Sequence, residues 1–167
     1  GKWFLGLVPP GYEEDAIRLL QDINVIWSAF FRGQLTLALI MTTIITVVGF
    51  LIGLPFALAM GLLAGLMEFL PSIGNAIWLL VASVLALFVG STWIPIPNWL
   101  FWIILVALHI IITQLDLNYI IPRVIGRSVN LPPLVVILGI ITGAALAGVL
   151  GVVLAAPSIA SLRVIGR

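Results

Sequence analysis

The hydrophobic and polar positions divide most of the chain into long uncharged runs separated by short breaks of proline, glycine or polar residues. Residues 35–53 give nineteen positions without a charge, enough to cross about 30 Å of hydrocarbon at roughly 1.5 Å per helical residue. Gly53-Leu54-Pro55 interrupts the run, and 56–70 resumes it with one acid, Glu68. Pro71-Ser72-Ile73-Gly74-Asn75 is a second break, after which 76–92 is apolar again. A loop holding Pro95 and Pro97, bracketed by Trp93 and Trp99, precedes a further run over 99–117. Gln114-Leu115-Asp116-Leu117-Asn118 closes that run, and a polar connector with Arg123 and Arg127 follows. The last apolar stretch, 133–156, stops before Pro157.

Residues 1–34 read differently. Trp3 to Val8 resembles the tail of a preceding apolar segment, and Pro9-Pro10-Gly11 is a turn. Glu13, Glu14 and Asp15 then stand where acids favour a helix start. Ala16, Leu20, Ile23, Trp27 and Phe30 recur at helical spacing, with Arg18, Gln21, Asp22 and Ser28 mostly on other faces. The pattern predicts an amphipathic helix along the membrane surface or against a neighbour, closed by Arg32-Gly33-Gln34.

Composition makes lipid the solvent. Hydrophobic residues are 63% of the chain and charged ones 8%, with a mean hydropathy of +1.33, whereas soluble domains carry roughly 25% charged residues. The lipid bilayer is thus the first partner. A net charge of +1 gives no footprint for nucleic acid. With no cysteine and a single histidine, His109, the sequence offers neither a disulfide framework nor a metal site. It also lacks a Walker loop, a GxSxG elbow and an HExxH helix, so no enzyme activity and no cofactor are expected.

Positive charge gives an orientation. Cytoplasmic loops collect Lys and Arg, which puts Lys2, Arg18 and Arg32 inside, together with Arg123 and Arg127, and the Trp93–Trp99 loop outside. Turns at Pro55, Pro71, the Trp loop and Arg123 then make four crossings. A fifth crossing over 133–156 would carry Arg163 and Arg167 outside. Gly139, Gly143, Gly148 and Gly151 permit another solution, a re-entrant helical hairpin bending near Gly143 to Gly148 that keeps the C-terminus cytoplasmic. The alternative is an ordinary span whose glycines let helices pack closely. The expected fold class is therefore all-α: a polytopic transmembrane bundle with an interfacial amphipathic helix and a glycine-rich hairpin or fifth span.

Charge within an apolar run costs about 2.5–3.5 kcal/mol at mid-span on insertion scales, so Glu68 and Asp116 are the leading candidates for a proton or coupling-ion site. Each has a plainer reading. Glu68 could reach the headgroups beside Pro71, and Asp116 with Gln114 and Asn118 could be a polar helix end. The functional reading of those three is a locally unwound segment lining a cavity. His109 lies seven residues before Asp116, on the same helical face about two turns away; it is a proton-path residue or is hydrogen-bonded to a neighbouring helix. Thr42, Thr43 and Thr46 are expected to satisfy helix carbonyls. Arg123 and Arg127 hold an anionic ligand or set topology through lipid headgroups.

Several motifs taken together resemble the AI-2E family of bacterial membrane proteins, named for the export of autoinducer-2. They are Gly53-Leu54-Pro55-Phe56-Ala57-Leu58, Gly61-Leu62-Leu63-Ala64-Gly65-Leu66 and Phe69-Leu70-Pro71-Ser72-Ile73-Gly74. Gln114-Leu115-Asp116-Leu117-Asn118 with Pro122-Arg123-Val124-Ile125-Gly126-Arg127-Ser128-Val129 matches the family's connector, and Pro133 its usual proline. Arg32-Gly33-Gln34 and the closing Gly143, Gly148, Gly151 and Ala155-Ala156-Pro157 also fit. Ser72 stands where an aromatic is common and Asp116 where Glu is common. The chain resembles the family's C-terminal half. The resemblance implies a secondary transporter that exports small polar solutes such as autoinducer-2 from the bacterial inner membrane, or an Na⁺(Li⁺)/H⁺ antiporter. It also implies a homo-oligomer, with a pentamer as one form. The expected solute or ion path comprises Glu68, Pro71, Gly74, Asn75, His109, Gln114, Asp116, Asn118, Pro122, Arg123, Gly126, Arg127, Gly143, Gly148 and Gly151. A reading from another class is a non-transporting membrane scaffold that docks partners on Trp27, Phe30 and Phe31.

Overall fold

A computed structural model describes residues 11, 13–70, 73–124 and 133–165, and every regular element among them is helical. They are α1 (Glu13–Ile52), α2 (Ala57–Met67), α3 (Ile73–Phe88), α4 (Asn98–Leu115), a π-helical turn (Asp116–Ile120), the short α5 (Ile121–Val124) and α6 (Pro133–Ile165). The chain forms two compact units, one of residues 33–126 and one of 1–32 with 127–167. The expected ends at Pro71, Gly126, Arg127 and Arg167, and the apolar segment ahead of Pro9, lie outside the described residues.

The helix expected to close at Arg32-Gly33-Gln34 does not close there. It runs unbroken for 40 residues from Glu13 to Ile52. One interior glycine costs a helix about 1 kcal/mol, and the helix-forming neighbours Arg32, Gln34 and Leu35 outweigh it. Among the described residues no separate amphipathic helix is seen; the acids of residues 13–22 occupy the first turns of a long helix. Residues 17–52 of that helix and 98–124 are each long and apolar enough to cross a membrane. The next two runs are shorter than expected. Helix α2 has 11 residues and α3 has 16, about 16 and 24 Å at 1.5 Å per residue, so α2 alone falls well short of a crossing. Helix α3 begins at Ile73 rather than Ala76, and Gly74 and Asn75 lie in its first turn instead of a break.

In the 33–126 unit, α1 turns Leu37, Met41 and Ile45 inward, α3 turns Trp78, Ala82 and Ala86, and α4 turns Phe101, Leu105 and Ile112. Small residues set how close the helices come. A Cβ on Gly61 would collide with Thr46 and the Thr42 carbonyl, and one on Gly65 with Thr42 and the Ala38 carbonyl. This Gly-x-x-x-Gly face of α2 therefore lies against the α1 backbone, the contact that dispersion favours when lipid supplies no hydrophobic drive. The outward surface is apolar: Leu39, Phe50, Phe56, Leu66, Leu80 and Phe88 are all more than 60% exposed. Water-soluble surfaces do not expose contiguous apolar area on this scale.

The carbonyls left open at the C-terminal end of α1 are closed by the loop before α4. Gly53, with φ of 77°, ends the helix, as Gly53 N–H bonds to Phe50 O and Leu54 N–H to Gly49 O. Ser91 Oγ donates to Ile52 O at 2.9 Å, Thr92 N–H to Gly53 O at 2.8 Å, and Trp93 Nε1 to Phe50 O at 3.2 Å. These bonds satisfy helix-end acceptors that apolar surroundings would leave unpaired.

In the other unit, α6 continues past the expected stop, with Pro157 buried inside it. Its helical geometry fails at Ala147 (φ −140°) and Gly148 (φ 58°, ψ −136°). Beyond that break the chain returns alongside itself: the Gly143 and Gly151 backbones are in contact, and Gly139 meets Ile159. Trp27 Nε1 donates to Ser161 Oγ at 3.0 Å, and Ser161 Oγ donates to Pro157 O at 2.8 Å. Trp27, Phe30 and Phe31 do cluster, with ring centroids of neighbouring pairs 5.7 to 6.0 Å apart.

Candidate functional site

The buried stripe of α4 runs Phe101, Leu105, His109, Ile112 and then Asp116, a spacing of three and four residues that keeps one helical face inward. The burial of Asp116 thus follows from its place in the pattern. Its side chain is 2% exposed, and Oδ1 has no hydrogen-bond partner among the described residues. A charged carboxylate held so would cost several kcal/mol, a cost that a proton or a bound cation would relieve.

The chain is not unwound here. Asp116 opens a π-helical turn in which the Ile121 N–H reaches back to the Asp116 carbonyl, so the backbone stays hydrogen-bonded while the helix widens. Single π turns inside α-helices are frequent at functional sites. The expected cavity-lining trio also divides. Gln114 and Asn118 are both exposed, and Asn118 Nδ2 donates to the Gln114 carbonyl at 2.7 Å and to its Oε1 at 3.1 Å. Only Asp116 turns inward.

Glu68 caps the C-terminal end of α2 and is half-buried. Its carbonyl accepts a 2.9 Å hydrogen bond from Nε2 of Gln34, itself 5% exposed. Asp116 lies within electrostatic range of Glu68. The fold therefore sets the two leading acids, one at the end of α2 and one in the π turn after α4, within range of each other's field. Gly74 is buried against the Met67 carbonyl, close in sequence to Glu68, and Asn75 is half-buried beside it.

His109 is stacked rather than hydrogen-bonded to a neighbouring helix. Its ring lies 5.1 Å from that of Trp78, at 13° between planes, and its Nε2 is 3.5 Å from Thr113 Oγ1 on its own helix. Thr43 Oγ1 does donate to a helix carbonyl, Leu39 O, whereas the buried Thr46 Oγ1 has no partner among the described residues. Pro122 and Arg123 are exposed, and the Arg123 guanidinium sits 5.4 Å from the Tyr119 ring centroid, a cation–π distance. Gly143, Gly148 and Gly151 belong to the other unit. Trp78 and Gln34 escaped the reading of charges. The signal for Trp78 was one large aromatic on a stripe of small residues, Gly74, Ala82 and Ala86, at four-residue steps.

Apolar helices exposed around a core that buries a glutamine, a histidine and an aspartate define an α-helical membrane protein. The chain belongs to the AI-2E family of transporters: the model described as AI-2E family transporter matches residues 2–166. The family is one of transporters, not enzymes. Among similar proteins, "Putative transport protein YueF" of Bacillus subtilis (strain 168) is 33% identical over 158 residues, covering 94% of this chain and 40% of that protein. "Putative transport protein YrrI" of the same organism is 29% identical over 163 residues, 97% and 43% of the two chains. "Putative transport protein sll0063" of Synechocystis is 33% identical over 135 residues, 80% of this chain and 32% of its own. The chain thus spans about two fifths of the length of the first two. No solved structure matches it.

Proposed function

We propose that the chain is the C-terminal part of a secondary transporter that exports small polar solutes, such as autoinducer-2, coupled to a proton or a monovalent cation. The observation that carries this reading is the buried Asp116 side chain, whose Oδ1 has no hydrogen-bond partner among the described residues, within electrostatic reach of Glu68. Intramembrane acids of this kind mark ion pathways. Asp116 and Glu68 hold the ion, and the exposed Arg123 steers anionic or polar solute toward them. The end of α2 at Met67 and the π turn at Asp116–Ile120 border the path, since interrupted helices build transporter sites. The Ala147–Gly148 break supports reading the glycine-rich segment as a re-entrant hairpin, and the distribution of arginines supports a C-terminus on the cytoplasmic side of the bacterial inner membrane. The working form is a homo-oligomer, for which a pentamer is one arrangement.

The test is flux through the full-length protein in proteoliposomes against a panel of Na⁺, Li⁺, H⁺ and small polar metabolites. Solute movement that requires an ion gradient supports the reading. Cation exchange without solute makes the protein an Na⁺(Li⁺)/H⁺ antiporter, and flux indifferent to any gradient makes it a channel. A stoichiometric partner of another sequence, with no flux, favours a scaffold docking on Trp27, Phe30 and Phe31.

A further inference from the structure

Trp78 links its own helix to two others. It projects from α3, its indole N–H donates at 2.8 Å to the Met60 carbonyl in the first turn of α2, and its ring stacks on His109 of α4. Helix α2 ends at Glu68, and α4 leads into Asp116. The small residues Gly74, Ala82 and Ala86 on the Trp78 face leave room for one large ring between the helices.

The opposite surroundings of His109 are apolar. A cavity of about 20 Å³ beside it is lined by Ile45, Leu105 and Ile112 among others, with Trp78 and His109 as its only lining side chains that carry nitrogen. The Trp78 N–H is already bonded to Met60. A water there would find too few polar partners to be held. The polar direction left to the imidazole is along its own helix, to Thr113 one turn on and thence toward Asp116, three residues further. Burial alone would not fix the plane of the ring; a parallel contact with an anchored indole does.

We propose that Trp78 is a positioning residue for the ion-binding face: it holds the His109 ring in line with Thr113 and Asp116, and ties that alignment to the helix that ends in Glu68. This rests on the transport reading given above. The role is indirect, because Trp78 acts through His109 and need not touch the ion.

The experiment uses the full-length protein reconstituted in lipid, with histidine rings isotopically labelled and the His109 resonances assigned by their loss in His109→Gln. Stacking shields the imidazole protons, so wild-type signals are shifted upfield. Trp78→Leu should remove that shift and lower gradient-driven flux per folded molecule by about tenfold or more, the scale on which displacing an active group acts. Trp78→Phe keeps a stacking ring without the Met60 bond, and should restore part of both. A purely structural Trp78 would lower the folded yield while flux per folded molecule stayed at the wild-type level, which overturns the proposal. Wild-type imidazole signals without an upfield shift overturn it equally. Absence of gradient-driven flux in the wild type overturns the transport reading itself, and the positioning role falls with it.

Discussion

The buried amide of Gln34 donates to the main-chain carbonyl of Glu68 at 2.9 Å, so α1 holds in place the residue that brings an acid to the site. Losing this partner leaves a carbonyl in apolar surroundings unpaired, worth about 1–3 kcal/mol. Gln34→Leu, which keeps a similar volume, is expected to destabilise the protein by that amount, read as a lowered midpoint of denaturant or thermal unfolding in detergent. An unchanged midpoint would mean the contact is not formed.

Close approach of α1 and α2 depends on the absence of side chains at Gly61 and Gly65. Gly65→Leu is expected to be more damaging than Leu62→Ala on the exposed face of the same helix. An overpacked contact costs about 1–3 kcal/mol, while a lipid-facing truncation should sit near zero. Comparing the unfolding midpoints of the two variants checks this.

The break in α6 requires Gly148, whose φ of 58° and ψ of −136° place it where side chains other than hydrogen are strained. Gly148→Ala should cost about 1–3 kcal/mol. Gly151→Leu should be worse, because its side chain would enter the Gly143 carbonyl. A Gly148→Ala variant as stable as wild type would show that the segment adopts a different backbone there.

At the Trp93 end, the loop bonds to α1 make a graded prediction. Ser91→Ala removes one donor to Ile52 O and should cost about 0.5–1.5 kcal/mol. Thr92→Ala leaves the main-chain bond from residue 92 to Gly53 O intact and should cost less. Amide hydrogen exchange at Thr92 reads the same latch directly, and should quicken in Ser91→Ala.

Much of the fold was written in breaks that proline and glycine make, because these residues act locally. The turn at Gly53-Leu54-Pro55, the loop from Ser91 to Asn98 and the interruption at Ala147–Gly148 all fall where such residues cluster. Features set by packing were hidden. Gly33 looked like a helix end, yet its cost of about 1 kcal/mol is small beside what a 40-residue helix gains from its neighbours. The π turn leaves no mark in residue type, so Gln114, Asp116 and Asn118 looked like an unwound segment. His109 and Asp116 were legible as one face because their seven-residue spacing is a property of the helix alone. That Trp78 covers the first, and Glu68 approaches the second, needed α2 and α3 to be placed.

The central claim is that Asp116 carries the coupling ion. Its most direct test is gradient-driven flux in proteoliposomes of the full-length Asp116→Asn protein beside wild type and Asp116→Glu. The substitution to Asn keeps nearly the same shape and removes the ionisable oxygen, so flux should lose its dependence on the ion gradient, while Asp116→Glu retains it in part. Ion-coupled flux that survives intact in Asp116→Asn, in correctly folded protein, would contradict the account.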